Sequence, residues 1–364
     1  MKKIYVILLA LIIFPVNAQS YNEWKLSQQE SYKNYKQSYL ARYSAYKQEV
    51  TKKWGDYTKL SSPHDYILYK KDFDQRVVLD YENNQIILES LDGSGLDIHK
   101  ALSQLANTSV GKALATDPVL PALNGNTETD SLLQSIAGVN DIGTLIKKAS
   151  IKRETIATGG SNSKSVDQIK ISLPAQMVVK RAEPFFPVAT EMSQKFNIDR
   201  SLILAIAQTE SSFNPLAQSP IPAFGLMQIV PDSAGKDVNV QLNNKSSSPN
   251  VDTLFQPDKN IRFGAGYLHI LNSRYLKNIK DDRSRLYCTI AAYNTGAGNV
   301  ASVFHPQNKR SLAGAVEEIN QLSPDEVYQK LITKLPYQET RTYLKKVYKA
   351  QQQYKKLELV TKPI

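Results

Sequence analysis

The chain has 364 residues, 41% hydrophobic and 22% charged, with a formal net charge of +11 and one Cys. Its mean hydropathy of -0.37 and the shortness of its one conspicuous apolar run, Ile4 to Phe14, exclude an integral membrane protein, because a spanning helix needs roughly 20 apolar residues. One Cys cannot close an internal disulfide, and four scattered His (His64, His99, His269, His305) offer no cluster at metal-ligand spacing, so no structural zinc, other metal or cofactor is expected.

Lys2 and Lys3 precede the apolar run, Pro15 breaks it, and Val16-Asn17-Ala18 places small residues where signal peptidase cuts. That pattern predicts a signal peptide over 1–18, cleavage before Gln19 and a periplasmic mature protein. No Cys follows the cleavage point to accept lipid. The lone Cys288 sits in the apolar stretch Leu286 to Ala292 and reads as a small buried hydrophobe.

Residues 19–182 read as a smaller α+β domain. From Tyr21 to Trp54 there is no Gly or Pro, and Tyr32, Tyr35, Tyr39, Tyr43 and Tyr46 recur at steps of three and four, predicting one long helix with a Tyr stripe that Gly55 ends. The stripe either packs on its own domain or a partner helix, the favoured reading, or forms an aromatic, basic surface for glycan or headgroups. Arg76 to Tyr81 and Gln85 to Ser90 flank Asn83-Asn84, a hairpin signal. A short helix from about Leu96 to Ala106 follows. Residues 115–165 are rich in Thr, Asn, Gly, Ser and Asp and read as loop and linker, with one short helix at Ser131 to Ile136. Ile169, Ile171 and Leu173 alternate with polar residues, predicting a strand that returns to the hairpin and finishes a small antiparallel sheet.

Pro184 and Pro187 open a mostly helical second domain, 183–356. Asp199 or Ser201 can cap a helix through Leu202 to Glu210 that is apolar nearly all round and therefore buried. Pro215 stops it. Glu210 thus lies on the last turn of a buried helix, where desolvation and the negative helix end both disfavour its anion and raise its pKa. A carboxylic acid kept protonated near neutral pH is what protonation of a glycosidic oxygen requires. Gly225-Leu226-Met227-Gln228 follows a Pro-rich turn. Ala292-Tyr293-Asn294 ends another helix in glycines that turn Tyr293 and Asn294 toward a cleft, and Glu339 and Tyr343 lie four apart at the start of the last helix.

In that order, Glu210-Ser211, Gly225 to Gln228, Ala292 to Asn294 and Glu339 to Tyr343 resemble the four motifs of the soluble-lytic type of lytic murein transglycosylases. The resemblance implies an α+β architecture, with a goose-type-lysozyme-like, mostly helical catalytic domain behind the smaller N-terminal one. It also implies that Glu210 is the sole catalytic residue, acid then base, cleaving the N-acetylmuramic acid–N-acetylglucosamine bond and leaving a 1,6-anhydro end. Substrate-binding roles follow for Ser211, Met227, Gln228, Tyr293, Asn294, Glu339 and Tyr343. Ser211 either orients Glu210 or finishes the helix. Met227 walls a sugar face, while Gln228 and Asn294 offer amide donors and acceptors. Tyr293 bonds the acid or the intermediate, or packs in the core, and Glu339 is expected to be the structural partner of Tyr343 or Tyr293. Leu226, Ile206 and Ile290 are assigned to the core.

The positive charge suits murein, whose stem peptides carry carboxylates. Nucleic acid is not an expected partner of an exported chain without a dense lysine block. Peripheral association with membrane or cell-wall proteins, and the oligomeric state, stay open. Two other functions remain at this level: a hydrolytic goose-type muramidase using the same acid, and a non-catalytic murein-binding scaffold.

Overall fold

The computed structural model describes residues 21–361 apart from 71, 92, 94, 121–122, 124–127 and 159–163, with side chains from 32 to 357. The expected signal peptide and its cleavage site lie outside the described residues.

Helix α1 spans Tyr21–Trp54, as the Tyr spacing predicts. Its 34 residues make a rod about 50 Å long, more than its own small domain can cover. Only the second half of the stripe packs there: Tyr46 meets Tyr69 and Phe73, and Val50 and Trp54 are buried beside them. The first half crosses to the helical region. Tyr39 is fully buried, donates its hydroxyl to the Ser219 carbonyl at 2.8 Å and stands edge-on to Phe224, as Tyr35 also does. The expectation that the stripe packs on its own domain or a partner helix is therefore corrected for Tyr35 and Tyr39.

Five antiparallel strands form one sheet in the order β1-β2-β3-β5-β4: β1 (Asp65–Tyr69), β2 (Gln75–Asp80), β3 (Gln85–Leu91), β4 (Ser150–Ala157) and β5 (Ser165–Ser172). The predicted hairpin is β2–β3. Its turn is held by the Asp80 carboxylate, which accepts the Asn83 N–H at 2.8 Å, and by Asn84 in the left-handed region at φ 55. Strand β5 returns to β3, pairing Ile171 with Ile86 and Ile169 with Leu88. It does not finish the sheet, because β4, drawn from the supposed linker, pairs with its other side. The first four residues of β4 are all exposed, so no apolar alternation marks it in the sequence.

Four short helices pack on one sheet face: α2 (Ile98–Ala106), α3 (Val110–Ala115), α4 (Leu132–Ala137) and α5 (Ile142–Lys148). Each is capped by a side chain, Asp97, Ser109, Ser131 or Asp141, that accepts the N–H three residues on. Helices α3 and α5 were not expected. On the opposite face Arg76 and Glu89, both without exposed side-chain area, form an ion pair at 2.5 Å, with the guanidinium 3.9 Å from the centre of the Trp54 ring.

The helical region comprises α6 (Met177–Ala182), α7 (Phe186–Phe196), α8 (Arg200–Ser211), α9 (Lys236–Leu242), α10 (Val251–Leu254), α11 (Pro257–Ile270), α12 (Asp282–Thr295), α13 (Ala297–Phe304), α14 (Leu312–Gln321), α15 (Pro324–Lys334) and α16 (Gln338–Thr361). Helix α8 is its axis: Ser201 to Ala207 are all buried, and α16 packs along it. Neither expected cap works through its side chain. Asp199 occupies the cap position but pairs with Lys355 at 3.0 Å, and the Ser201 hydroxyl is buried without a partner. The core runs unbroken from Leu79 and Ile86 of the sheet to Ile206 and Leu344 of the helices. The fold is α+β, as expected.

Candidate active site

The chain brings Glu210 to the last turn of α8, and α16 completes its surroundings. Tyr343 donates its hydroxyl to Glu210 Oε1 at 2.7 Å. Burial pushes the Glu210 carboxyl up to about 8; the Tyr343 bond opposes this and the charge of Glu339 adds to it. Desolvation is thus the dominant cause, as the apolar helix implied.

Behind the acid, the Gly-Leu-Met-Gln loop is held from the backbone. Gly225 has φ +74, and a Cβ there would sit 2.2 Å from the Leu254 carbonyl, so only glycine fits. Asn260, fully buried on α11, donates to the carbonyls of Phe224 and Leu254 and accepts the Met227 N–H, all within 2.8 Å. Its importance was not read from the sequence, although a polar residue heading the buried row Asn260, Gly264, Leu268 is a signal of sorts.

Several expected roles change. The Met227 side chain is fully buried, packed so closely on α11 that a Cβ at Gly264 would lie 2.2 Å from its sulfur, and it is part of the core. Its carbonyl accepts the Tyr293 hydroxyl at 2.9 Å, which satisfies Tyr293 away from the acid. Tyr293 is half-buried, its ring tilted by 59° against Tyr267 with centroids 5.5 Å apart, and burial holds its hydroxyl well above the usual phenol range. Ser211 donates to the Leu226 carbonyl at 2.8 Å, tying the acid helix to the loop and leaving the Glu210 carboxyl to Tyr343. Glu339 is exposed and partners neither tyrosine, since their hydroxyls go to Glu210 and Met227. It acts on Glu210 through charge alone. Leu226, Ile206 and Ile290 are buried as assigned, and so is Cys288.

Two amides finish the arrangement. Gln228, at φ 46, donates to the Gly225 carbonyl at 3.0 Å and keeps a buried Oε1 that has no hydrogen-bond partner among the described residues. Asn294 accepts the Thr340 hydroxyl at 2.7 Å. Thr340, buried on the first turn of α16, also escaped the sequence reading. Among the described residues no group of three or more His, Cys, Asp or Glu could hold a metal.

A buried carboxyl with a tyrosine donor thus stands at the end of α8, tied by Ser211 to the Gly-Leu-Met-Gln loop. Residues 187–313 match the family model described as Transglycosylase SLT domain. The chain is 36% identical over 304 residues to membrane-bound lytic murein transglycosylase C of Glaesserella parasuis serovar 5, a span of 81% of each protein. The chain belongs to the lytic murein transglycosylases. It is similar over a comparable span to the transglycosylase C of Pectobacterium atrosepticum, at 35% identity over 316 residues, 83% of this chain and 86% of that one. Among solved structures, the 70 kDa soluble lytic transglycosylase of Escherichia coli is 26% identical over 50% of this chain and 26% of its own, with a TM-score of 0.38.

In this lytic transglycosylase the family match stops at residue 313, whereas Tyr343 and Thr340 come from α16 beyond it. The acid's partner is thus supplied by the tertiary packing of α16 on α8. The relatives' names place those proteins at a membrane. Among the described residues of this chain no helix is long and apolar enough to cross one.

Proposed function

We propose that this transglycosylase acts in the periplasm on murein glycan strands, cleaving the β-1,4 bond between N-acetylmuramic acid and N-acetylglucosamine with Glu210 alone as acid and then base. The observation that carries this reading is a carboxyl held up to about 8 by burial on the last turn of α8. Protonated at neutral pH, the carboxyl gives its proton to the glycosidic oxygen as the bond to muramic C1 breaks. The substrate's acetamido group stabilises the oxocarbenium-like centre, which removes the need for a second carboxylate. The Glu210 carboxylate, steadied by the Tyr343 hydroxyl, then takes the proton of the muramic C6 hydroxyl as that oxygen closes on C1. The product carries a 1,6-anhydro ring, no water is consumed, and Glu210 ends protonated for the next turn.

The buried Gln228 Oε1 supplies an acceptor for an acetamido N–H. Digestion of purified murein with mass analysis of the fragments tests the proposal. Anhydro ends, lighter by one water than reducing ends, are expected. Reducing ends alone would mean that water is the acceptor and the enzyme is a muramidase; binding without release would mean a scaffold.

A further inference from the structure

Immediately past Glu210 the chain does something costly. Ser212 and Phe213, neither of them glycine, lie consecutively in the left-handed region at φ 52 and φ 61. Such backbone persists where its surroundings over-determine it. Here much of the restraint comes from outside the catalytic domain. Arg181, buried just before that domain, has no carboxylate partner among the described residues and spends its donors on three carbonyls: Ser212 at 3.1 Å, Ile136 at 3.2 Å and Tyr81 at 2.6 Å. Two of these close helices α8 and α4, whose C-terminal carbonyls favour a cation, and the third belongs to the β2–β3 turn. His64 Nδ1 is hydrogen-bonded to the Ser212 hydroxyl at 3.1 Å, and the Asn214 amide donates to the Pro63 carbonyl at 3.0 Å. Burial pushes the His64 imidazole down, so it is neutral in this contact.

We propose that Arg181, His64 and the Pro63 carbonyl form a clamp by which the N-terminal domain holds this strained turn and so keeps Glu210 in register with Tyr343. All three contacts stop at the turn, so these are positioning residues, and the functional part of the claim rests on the transglycosylase reading above. A buried cation is expensive; its retention is explained by the geometry it imposes on three segments at once. Without the clamp the turn relaxes, the last turn of α8 frays, and the carboxyl leaves the 2.7 Å contact.

The test compares Arg181→Lys, His64→Ala and, as a control, Lys346→Ala, which removes an exposed ion pair to Glu82 across the same junction and none of the hydrogen bonds that hold the turn. Two measurements are made on the full chain: turnover of purified murein, and hydrogen exchange of the amides from Ser211 to Asn214. Arg181→Lys keeps the charge but cannot span three carbonyls; a fall in kcat of about tenfold at KM within twofold is expected, with exchange of those amides accelerated at least tenfold. His64→Ala, the milder lesion, is expected to do the same at about threefold, and Lys346→Ala to do neither. Unchanged kcat and exchange in both clamp variants would overturn the proposal, as would equal effects in the control. Should Arg181→Lys fail to fold, His64→Ala decides by the same criteria. The exchange measurement reads the clamp independently of turnover, so a native chain inactive on murein would overturn the functional reading alone.

Discussion

Glu89 and Glu210 are both carboxylates removed from water, one in the N-terminal sheet and one at the end of α8, yet their environments push them in opposite directions. At Glu89 burial raises the pKa, but the charges of Arg76 and Lys59 and the hydrogen bonds from Tyr57 and Arg76 outweigh it, so the group is held below its ordinary 4.5. At Glu210 burial meets only one opposing contact, the Tyr343 hydroxyl, and the group rises to about 8. Burial raises a carboxyl when no cation stands beside it, and burial beside cations need not. The N-terminal carboxylate is held as an anion, and the α8 carboxyl is biased toward its protonated form.

The comparison is broken most directly by Glu210→Gln, which keeps shape and removes the proton donor. Murein turnover should fall by about 10³-fold or more with the native circular dichroism retained; residual activity near wild type would show that another group is the acid. Next comes Arg76→Met. It leaves Glu89 buried with Lys59 at 3.6 Å as its remaining cation, and urea denaturation should show a loss of roughly 3 kcal/mol, much of it recovered in a double variant with Glu89→Met. Asn260→Ala orphans the Met227 N–H and the Leu254 carbonyl beneath the Gly-Leu-Met-Gln turn, while the Phe224 carbonyl keeps the Ile229 N–H, for an expected loss of about 2 kcal/mol measured in the same way.

The pH dependence sharpens the contrast. Glu89, lowered, contributes stability that is present above about pH 4.5 and lost as the pH falls through its folded value. Glu210, raised, behaves oppositely: its contribution is present below about 4.5 and is lost as the pH rises through about 8. Glu210→Gln should therefore melt a few degrees above wild type at pH 8.5 and level with it at pH 4, and in the wild type kcat/KM should fall above about pH 8. Equal melting temperatures at pH 8.5 would show that the acid is better solvated than its place in the fold indicates. The smallest effects concern its neighbours. Tyr343→Phe removes a bond that favours the anion, moving that alkaline limb up by about one unit or less. Glu339→Gln removes a repulsion and moves it down by a few tenths.

Much of this was legible in residue order. The unbroken run from Tyr21 to Trp54 is one helix, the Asn83-Asn84 turn joins two strands, and Glu210 sits on the last turn of a buried helix as the apolar run before it implied. Strand β4 was missed because an exposed edge strand carries no apolar alternation. Ser211 bonds the Ala207 and Leu226 carbonyls and not the Glu210 carboxyl, Met227 is buried, and Glu339 is exposed, because a motif tells which residues recur together and not which way each one points.

The division has a physical basis. Helix and strand periodicity, capping and the burial of an apolar run are local properties, written in neighbours three or four residues apart, so the acid and the reason for its raised pKa could be read from the chain alone. Which groups stand opposite that acid depends on contacts between segments far apart in sequence: Tyr343 lies 133 residues from Glu210, and Thr340 lies 46 from Asn294. Only the packing of α16 on α8 and of α1 on Phe224, together with the clamp reaching from His64 and Arg181 to Ser212, decided those partners, because side-chain direction at long range is set by the assembled core.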